Sequence, residues 1–237
     1  MQDKINGIKL VSIDLFRTLV DLEQTPQIIW ETFLKSNYPP EVSQRYWQRA
    51  SEILERIWDE AGTGNGHFKN VRVVLEDTCS ELFQEIQLRV ELKSATYLLM
   101  QKHRIHHLFE DARPFLERAG RDYPVCLSTD CDLEMLDGID RIFPFKDIFV
   151  SESLEAYKLN PKFFLRVISH SGLEPGNILH IGDSKSDIIA PARLGVRTCW
   201  LNRAAQPWVH AVKPDFEVQS LLQVLDLLGI DPATATP

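Results

Sequence analysis

The fold of this chain is constrained most by short apolar runs that recur along the sequence and end in polar residues. They occupy residues 8–13, 124–127, 147–150, 178–181 and 198–201. Stretches with helical periodicity separate the later runs, at residues 133–143, 161–171 and 186–194. Strands that alternate with helices predict an α/β fold built on a doubly wound parallel sheet. Further helices are favoured at residues 111–119 and 220–228, and an edge strand at residues 215–218.

One long segment interrupts this alternation between the first and second apolar runs. It carries helical patterns at residues 28–35, 41–60 and 71–88, and no convincing strand. A helical block between two strands of a sheet is typical of an inserted subdomain. We therefore predict an all-helical cap at residues 22–108, and a core domain formed by residues 1–21 and 109–237.

Two features of the predicted cap invite other interpretations. The glycine-rich stretch at residues 62–66 follows no strand and precedes no Gly-Lys-Ser/Thr, so an inter-helix turn is favoured over a phosphate loop. His103, His106 and His107 cluster where a helix is expected to end. Imidazoles suit a helix C-terminus, and no cysteine or carboxylate completes a metal pattern, so no metal site is predicted there.

Composition narrows the classes of partner. The chain has 237 residues and a formal net charge of -8, which disfavours nonspecific nucleic-acid binding. No apolar run approaches the roughly 18 residues of a membrane span, and the N-terminus is too short and polar for a signal peptide. The 4 cysteines form no Cys-x-x-Cys pair. We expect a cytoplasmic protein with free thiols and with no nucleic-acid or membrane partner.

Residues suited to chemistry follow four of the predicted strands. Asp14 ends the first run, and Thr18 comes soon after it. The later strand ends lead to Ser128, Thr129, Lys158, Asp183 and Asp187. Ligands of an open α/β sheet bind beyond the carboxyl ends of the strands. One such residue alone is usually a helix cap or a surface group, but the whole set in one crevice indicates a catalytic site.

Each candidate residue has a physical role in such a crevice. Asp14 is placed to attack an electrophile and form an acyl intermediate. Lys158 supplies positive charge, while hydroxyls such as those of Thr18 and Ser128 donate hydrogen bonds to an anionic group. Asp14 and Asp183 together offer two carboxylates for a hard cation such as Mg²⁺. A further carboxylate, that of Asp187, is expected to ligate the ion or to orient a ligating water.

These residues resemble the motifs of the haloacid dehalogenase superfamily. Its first motif, Asp-x-Asp-x-Thr, is matched by Asp14 and Thr18 but has Phe16 in place of the second aspartate. Its second motif, a strand that ends in Ser or Thr, is matched by Ser128 or Thr129, which leaves two candidates. The third and fourth motifs are matched by Lys158 with Pro161, and by Gly182, Asp183 and Asp187.

The resemblance implies a fold, an activity and a ligand set. The fold is a Rossmann-like α/β core with a helical cap of the first type inserted after motif one. The activity is Mg²⁺-dependent hydrolysis of a small phosphorylated metabolite through an aspartyl-phosphate on Asp14. The implied metal ligands are Asp14, the main-chain carbonyl of Phe16, Asp183 and Asp187. Thr18, Ser128 or Thr129, and Lys158 are implied as the catalytic partners of Asp14.

Phe16 leaves two alternatives open. In phosphatases of this family the second aspartate protonates the leaving group and then activates water, and a phenyl ring does neither. Such acid–base help is typically worth about 10²–10⁴ in rate. Dehalogenating members place an aromatic residue there but lack the aspartate found here as Asp183. The alternatives are therefore a 2-haloacid dehalogenase-type hydrolase and a weakly active or inactive protein that binds a phospho-ligand.

Overall fold

A computed structural model describes residues 5–22, 40–62, 67–87, 89–104 and 106–230. The helix predicted at residues 28–35 lies outside the described residues, as does most of the turn predicted at residues 62–66. Within the described part of the chain, no helix is both long and apolar enough to cross a membrane.

The core is a six-stranded parallel sheet in the order β3-β2-β1-β4-β5-β6. Its strands are β1 (Leu10–Ile13), β2 (Val125–Thr129), β3 (Ile148–Val150), β4 (Ile178–Gly182), β5 (Arg197–Leu201) and β6 (Phe216–Val218). The order runs outward from β1 in both directions, so the predicted doubly wound sheet is confirmed. Its switch point lies between β1 and β4, and open α/β sheets bind ligands beyond the strand ends at such a point.

The central strands are buried along their whole length. Every residue of β1, β2 and β4 is buried, whereas the edge strand β6 is buried only at Val218. Parallel strands covered on both faces read as continuous apolar runs rather than as alternating patterns. This is why the short apolar runs of the sequence identify the strands of the sheet.

Between β1 and β2, the part of the chain that the structure describes contains three long helices. They are α1 (Pro40–Gly62), α2 (Val71–Glu85) and α3 (Leu92–His103), which together form the helical insert. They enclose an apolar cluster that includes Ile53, Val74, Leu82 and Met100. The same cluster takes in Tyr157 and other residues of the α/β core, so the insert packs directly on the core.

Helices cover both faces of the sheet. They are α4 (Ala112–Asp122), α5 (Ser151–Leu154), α6 (Pro161–Ser171), α7 (Ile189–Arg193) and α8 (Leu221–Leu228). Phe115 of α4 and Val224 of α8 belong to one apolar cluster, whereas Phe163 and Phe164 of α6 belong to another. Helix α6 has the predicted bounds because Asn160 caps it and Pro161 starts it.

Two predicted helices are replaced by tighter turns. Residues 133–143 form the 3₁₀ turns Leu133–Leu136 and Ile139–Arg141, separated by Gly138 with φ of 77°. Residues 186–194 form the 3₁₀ turn Lys185–Asp187 followed by α7. The Asp187 carboxylate accepts hydrogen bonds from the Ser184 backbone and hydroxyl, which caps this turn. Both stretches are therefore helical only in short pieces. Gly138 interrupts the helical hydrogen bonds of the first stretch, and the capping of Ser184 by Asp187 interrupts those of the second.

One carboxylate joins three separate segments of the core. Asp111, which precedes α4, accepts hydrogen bonds from both terminal nitrogens of Arg203, at 2.9 and 2.8 Å. It also accepts from the Ser220 hydroxyl and the Leu221 backbone N–H at the start of α8, at 2.9 and 2.8 Å. Burial alone would raise the pKa of Asp111, but these donors outweigh burial and hold the pKa below its usual value.

The Asp111→Asn variant should therefore lower the free energy of unfolding by about 1–3 kcal/mol at neutral pH, because buried donors lose a charged acceptor. A lowered folded-state pKa stabilises the protein above the unfolded value of about 3.9, and this contribution disappears as pH falls through the folded pKa. Urea unfolding across pH should show the gap between wild type and variant closing in acid. The exposed Asp226→Asn is the control, and a gap that is constant with pH would contradict the assignment.

Candidate active site

Asp14 stands immediately beyond β1, beside the switch point of the sheet. Its backbone N–H donates to the Ile181 carbonyl of β4 at 2.9 Å, and the residue is only 5% exposed. The chain then turns sharply, since the Val20 N–H bonds to the Leu15 carbonyl at 2.9 Å and Arg17 adopts a φ of 65°. Strand pairing and this turn together fix the carboxylate at the base of the crevice.

Lys158 bridges two of the candidate carboxylates. Its ammonium group donates to Asp14 Oδ1 at 2.6 Å and to Asp187 Oδ1 at 2.5 Å, and the side chain is 3% exposed. Its backbone N–H donates to Asp130 Oδ1 at 2.8 Å. Burial alone would lower the pKa of Lys158, but the neighbouring carboxylates outweigh it and raise the pKa above the usual value. The lysine is therefore a fixed positive charge beside Asp14.

Both oxygens of Asp187 are occupied by donors from the protein. Oδ1 accepts from Lys158 and from His180 Nε2, the latter at 3.0 Å. Oδ2 accepts from the backbone and hydroxyl of Ser184, at 3.0 and 2.6 Å. Burial alone would raise the pKa of Asp187, but Lys158 and His180 keep it well below the usual range. Asp187 is thus a buried anion that holds Lys158.

Asp183 completes an acidic cluster at the end of β4. One oxygen each from Asp14, Asp183 and Asp187 lies within 4.8 Å of the others. Asp183 is 14% exposed, and its carboxylate lies 3.3 Å from Nε of Arg17. Burial raises the pKa of Asp183 to about 6, with Arg17 opposing and Asp187 adding to the effect.

The pKa of Asp14 is raised further than that of Asp183. Burial raises it to about 8, with Lys158 opposing and the carboxylates of Asp187 and Asp183 adding to the increase. A hard divalent cation takes oxygen ligands and stabilises ionised carboxylates in such a place. The donor set, the buried carboxylate of Asp14 and the partly buried carboxylate of Asp183, each with a raised pKa, fits Mg²⁺.

Three hydroxyls were candidates for binding an anionic group, and their surroundings differ. Ser128 Oγ lies 2.8 Å from Ser12 Oγ and takes part in a buried hydrogen-bond chain. Thr18 Oγ1 and Thr129 Oγ1 are buried and have no hydrogen-bond partner among the described residues. Buried hydroxyls without a partner are uncommon, and they are available to a ligand. Ser128 accepts in its bond with Ser12, so both Ser128 and Thr129 keep a proton to donate to an anionic group, and either can be the hydroxyl of the second motif.

Phe16 provides no carboxylate but makes contacts of its own. Its ring packs edge-on against His103, with centroids 5.2 Å apart, and lies 6.3 Å from the ring of His106. The ring also contacts apolar clusters on both sides, that of the sheet and that of the helical insert. The predicted histidine cluster thus meets motif one at Phe16, which packs the insert on the core.

Sequence reasoning assigned no role to four residues that complete the site. They are Ser12, Asp130, His180 and Ser184, which hydrogen-bond to Lys158, Asp187 or one another. Ser12 and His180 interrupt the apolar runs of β1 and β4 and are register partners in the sheet. A polar residue inside each of two neighbouring apolar strands was the signal that could have found them.

Comparison with known proteins identifies the family. The sequence profile of haloacid dehalogenase-like hydrolases matches residues 8–195, which is most of the chain. The chain belongs to the haloacid dehalogenase-like hydrolase family. It is therefore a hydrolase of this family, and the resemblance drawn from the four motifs is confirmed.

Solved structures of this family share the fold. The HAD-hydrolase YfnB of Bacillus subtilis, described as bound to magnesium, has a TM-score of 0.77 at 21% identity and covers 95% of this chain and 100% of its own. An L-2-haloacid dehalogenase of Xanthobacter autotrophicus, with chloropropionic acid covalently bound, has a TM-score of 0.78 at 15% identity and covers 94% and 98%. At these identities the likeness shows the fold alone.

Sequence relatives carry phosphatase names. A phosphoglycolate phosphatase of Vibrio vulnificus is 25% identical over 158 residues, 62% of this chain and 68% of the relative. A protein of Clostridium perfringens named as the pyrophosphatase PpaX is 31% identical over 90 residues, 37% of this chain. The chain spans only 42% of the length of that relative. These names support a phosphatase-like hydrolase.

Gly182 is a steric requirement of this site. A Cβ atom at Gly182 would lie 2.1 Å from Cγ of Asp187, so any side chain displaces the anion that holds Lys158. Gly182→Ala should lower the free energy of unfolding by about 1–3 kcal/mol through overpacking. Gly176→Ala is the matched control, because a Cβ there meets none of the described atoms within 4 Å. Equal unfolding curves for the two variants would refute this requirement.

Proposed function

We propose that the protein is a Mg²⁺-dependent hydrolase of a small phosphorylated metabolite, acting through an aspartyl-phosphate on Asp14. The observation that carries this proposal is the cluster of Asp14, Lys158 and Asp183 at the switch point, with Lys158 Nζ 2.6 Å from the nucleophile. The phosphatase names of the sequence relatives support the same reaction class.

The chain's own residues account for both chemical steps. The Asp14 carboxylate attacks phosphorus, the bond to the leaving oxygen breaks, and that oxygen takes its proton from water because Phe16 has none to give. Lys158, the hydroxyl of Thr18 and that of Ser128 or Thr129 offset the charge on the phosphoryl oxygens. Water then attacks phosphorus, the bond to Asp14 breaks, and inorganic phosphate and the free carboxylate result.

The proposed ligands of the cation are Asp14, the Phe16 carbonyl and Asp183. A bound Mg²⁺ would neutralise the two carboxylates and the phosphoryl charge. A side-chain change at Phe16 leaves its carbonyl in place, so metal binding is compatible with the phenyl ring. Asp187, also expected as a ligand, has four donors on its two oxygens. We therefore assign it the anchoring of Lys158 rather than direct ligation.

A 2-haloacid dehalogenase-type reaction is the second candidate. It is favoured by the aromatic Phe16, because halide leaves without a proton. It is opposed by Asp183, which would sit beside Asp14 as a second carboxylate with no metal ion between the two. Halide release from short 2-haloacids in EDTA would favour this candidate over the first.

Phosphate-monoester hydrolysis should require both the metal and the nucleophile. The purified protein should turn over p-nitrophenyl phosphate with Mg²⁺ and stop in EDTA, and Asp14→Asn should be inactive in both conditions. Mg²⁺ should raise the melting temperature of wild type but not of Asp183→Asn, which is a readout independent of turnover. Equal rates of p-nitrophenyl phosphate hydrolysis with Mg²⁺ and with EDTA would contradict the proposal. Phospho-ligand binding by calorimetry without turnover would instead indicate a binding protein.

Phe16→Asp should restore the missing proton transfer. We expect kcat on poor leaving groups, such as alkyl phosphates, to rise by about 10²-fold or more, with little change on p-nitrophenyl phosphate. Phe16→Asn is the matched control, because it is similar in size and polarity but cannot transfer a proton. A similar rise in both variants, or no rise in either, would mean that leaving-group protonation does not limit the wild-type rate.

A further inference from the structure

A buried polar layer crosses three neighbouring strands directly beneath the nucleophile. Ser12 of β1, Ser128 of β2 and His180 of β4 are each 0% exposed. Ser12 Oγ lies 2.8 Å from Ser128 Oγ and 2.8 Å from His180 Nδ1. The other imidazole nitrogen, Nε2, reaches Asp187 Oδ1 at 3.0 Å, the same oxygen that accepts from Lys158. The layer is thus continuous with the catalytic cluster.

The surroundings of His180 determine where its proton lies. Burial lowers the pKa of the imidazole, although Asp187 opposes this effect. The Asp187 carboxylate only accepts, so its 3.0 Å contact places a proton on Nε2. Nδ1 lies 2.8 Å from the Ser12 hydroxyl, which donates to Ser128.

We propose that His180 is a positioning residue, which fixes the Asp187 carboxylate through Nε2–H and thereby holds Lys158 against Asp14. The kinetic part of this inference rests on the proposed phosphatase function. Lys158 has a carboxylate on each side, so its location depends on Asp187 being immobile. Ser184 holds one oxygen of Asp187, and His180 is the donor that shares the other oxygen with Lys158.

Packing alone does not call for a histidine at this position. The ring of Phe164 meets the imidazole edge-on with centroids 4.7 Å apart, so one side of the ring is packed against an apolar group. An aliphatic side chain would fill such a space without the cost of burying polar atoms. Residues that orient a group in direct contact with the chemistry typically change activity by about 10–100-fold when removed. A packing role and a positioning role therefore predict different kinetics.

His180→Leu should lower kcat by about 10–100-fold with KM within about 3-fold of wild type. His180→Gln, whose amide reaches the place of Nε2, should recover much of that loss. Thr198→Val is the matched control, because Thr198 is equally buried, is the register partner of His180 on β5, and bonds to Asp215 rather than to the site. It should lose stability but keep kcat.

Several outcomes would overturn the assignment. One is a kcat of His180→Leu within about 2-fold of Thr198→Val, and another is an equal loss in the Leu and Gln variants. If His180→Leu fails to fold, Ser12→Ala, which removes the other hydrogen bond of the imidazole, should show a smaller loss of kcat in the same direction. An unchanged kcat in that variant would then count against the proposal.

A nuclear magnetic resonance measurement separates this inference from the proposed function. In ¹⁵N-histidine-labelled protein, the His180 signal, assigned by its absence in His180→Gln, should show the neutral Nε2–H tautomer. Its proton should exchange faster with water in Asp187→Asn. The Nδ1–H tautomer would overturn the proposal even in an active enzyme. If no phosphate ester is hydrolysed, the proposed function fails. The tautomer of His180 still tests whether Nε2–H donates to Asp187.

Discussion

The site depends on one buried ammonium group between two buried carboxylates. Lys158 contacts Asp14 on one side and Asp187 on the other, and all three side chains are withdrawn from solvent. Burying ions is costly unless each is paired and hydrogen-bonded, and losing one partner leaves an uncompensated charge. The other features of the crevice follow from this constraint: the donors of Ser184 and His180 satisfy Asp187, and Gly182 leaves room for it.

The arrangement of Lys158 and the carboxylates accommodates Phe16 because none of its contacts uses the side chain at that position. Neither the pairing of Asp14 with Lys158 nor the cluster with Asp183 involves the side chain at this position. The ring instead contacts His103 of α3 and both apolar clusters, so it contributes to packing between the core and the helical insert. The side chain at this position therefore supplies contact area, and under the proposed function its effect is confined to the steps that move a proton.

The strand ends were predictable because buried parallel strands have an unmistakable pattern, and that pattern alone placed Asp14, Lys158, Asp183 and Asp187 in one crevice. What the sequence could not supply depends on tertiary contacts. The sequence alone indicates that His180, a lone histidine in an apolar run, is a core residue. Only the structure shows that its Nε2 lies 3.0 Å from Asp187. The same carboxylate caps Ser184 and tightens residues 185–187 into a 3₁₀ turn, which helical periodicity does not reveal.

The helical insert is attached to the core at residues that adjoin the catalytic set. Asp132 accepts from the Val71 and Arg72 backbones at the start of α2, at 2.7 and 2.9 Å, where it complements the helix dipole. Asp59 of α1 pairs with Lys185 at 2.6 Å, and the ring of Trp58 packs against that of Tyr157 with centroids 4.8 Å apart. Tyr157 immediately precedes Lys158, whose backbone N–H donates to Asp130. A shift of α1 would therefore disturb the segment that carries the lysine.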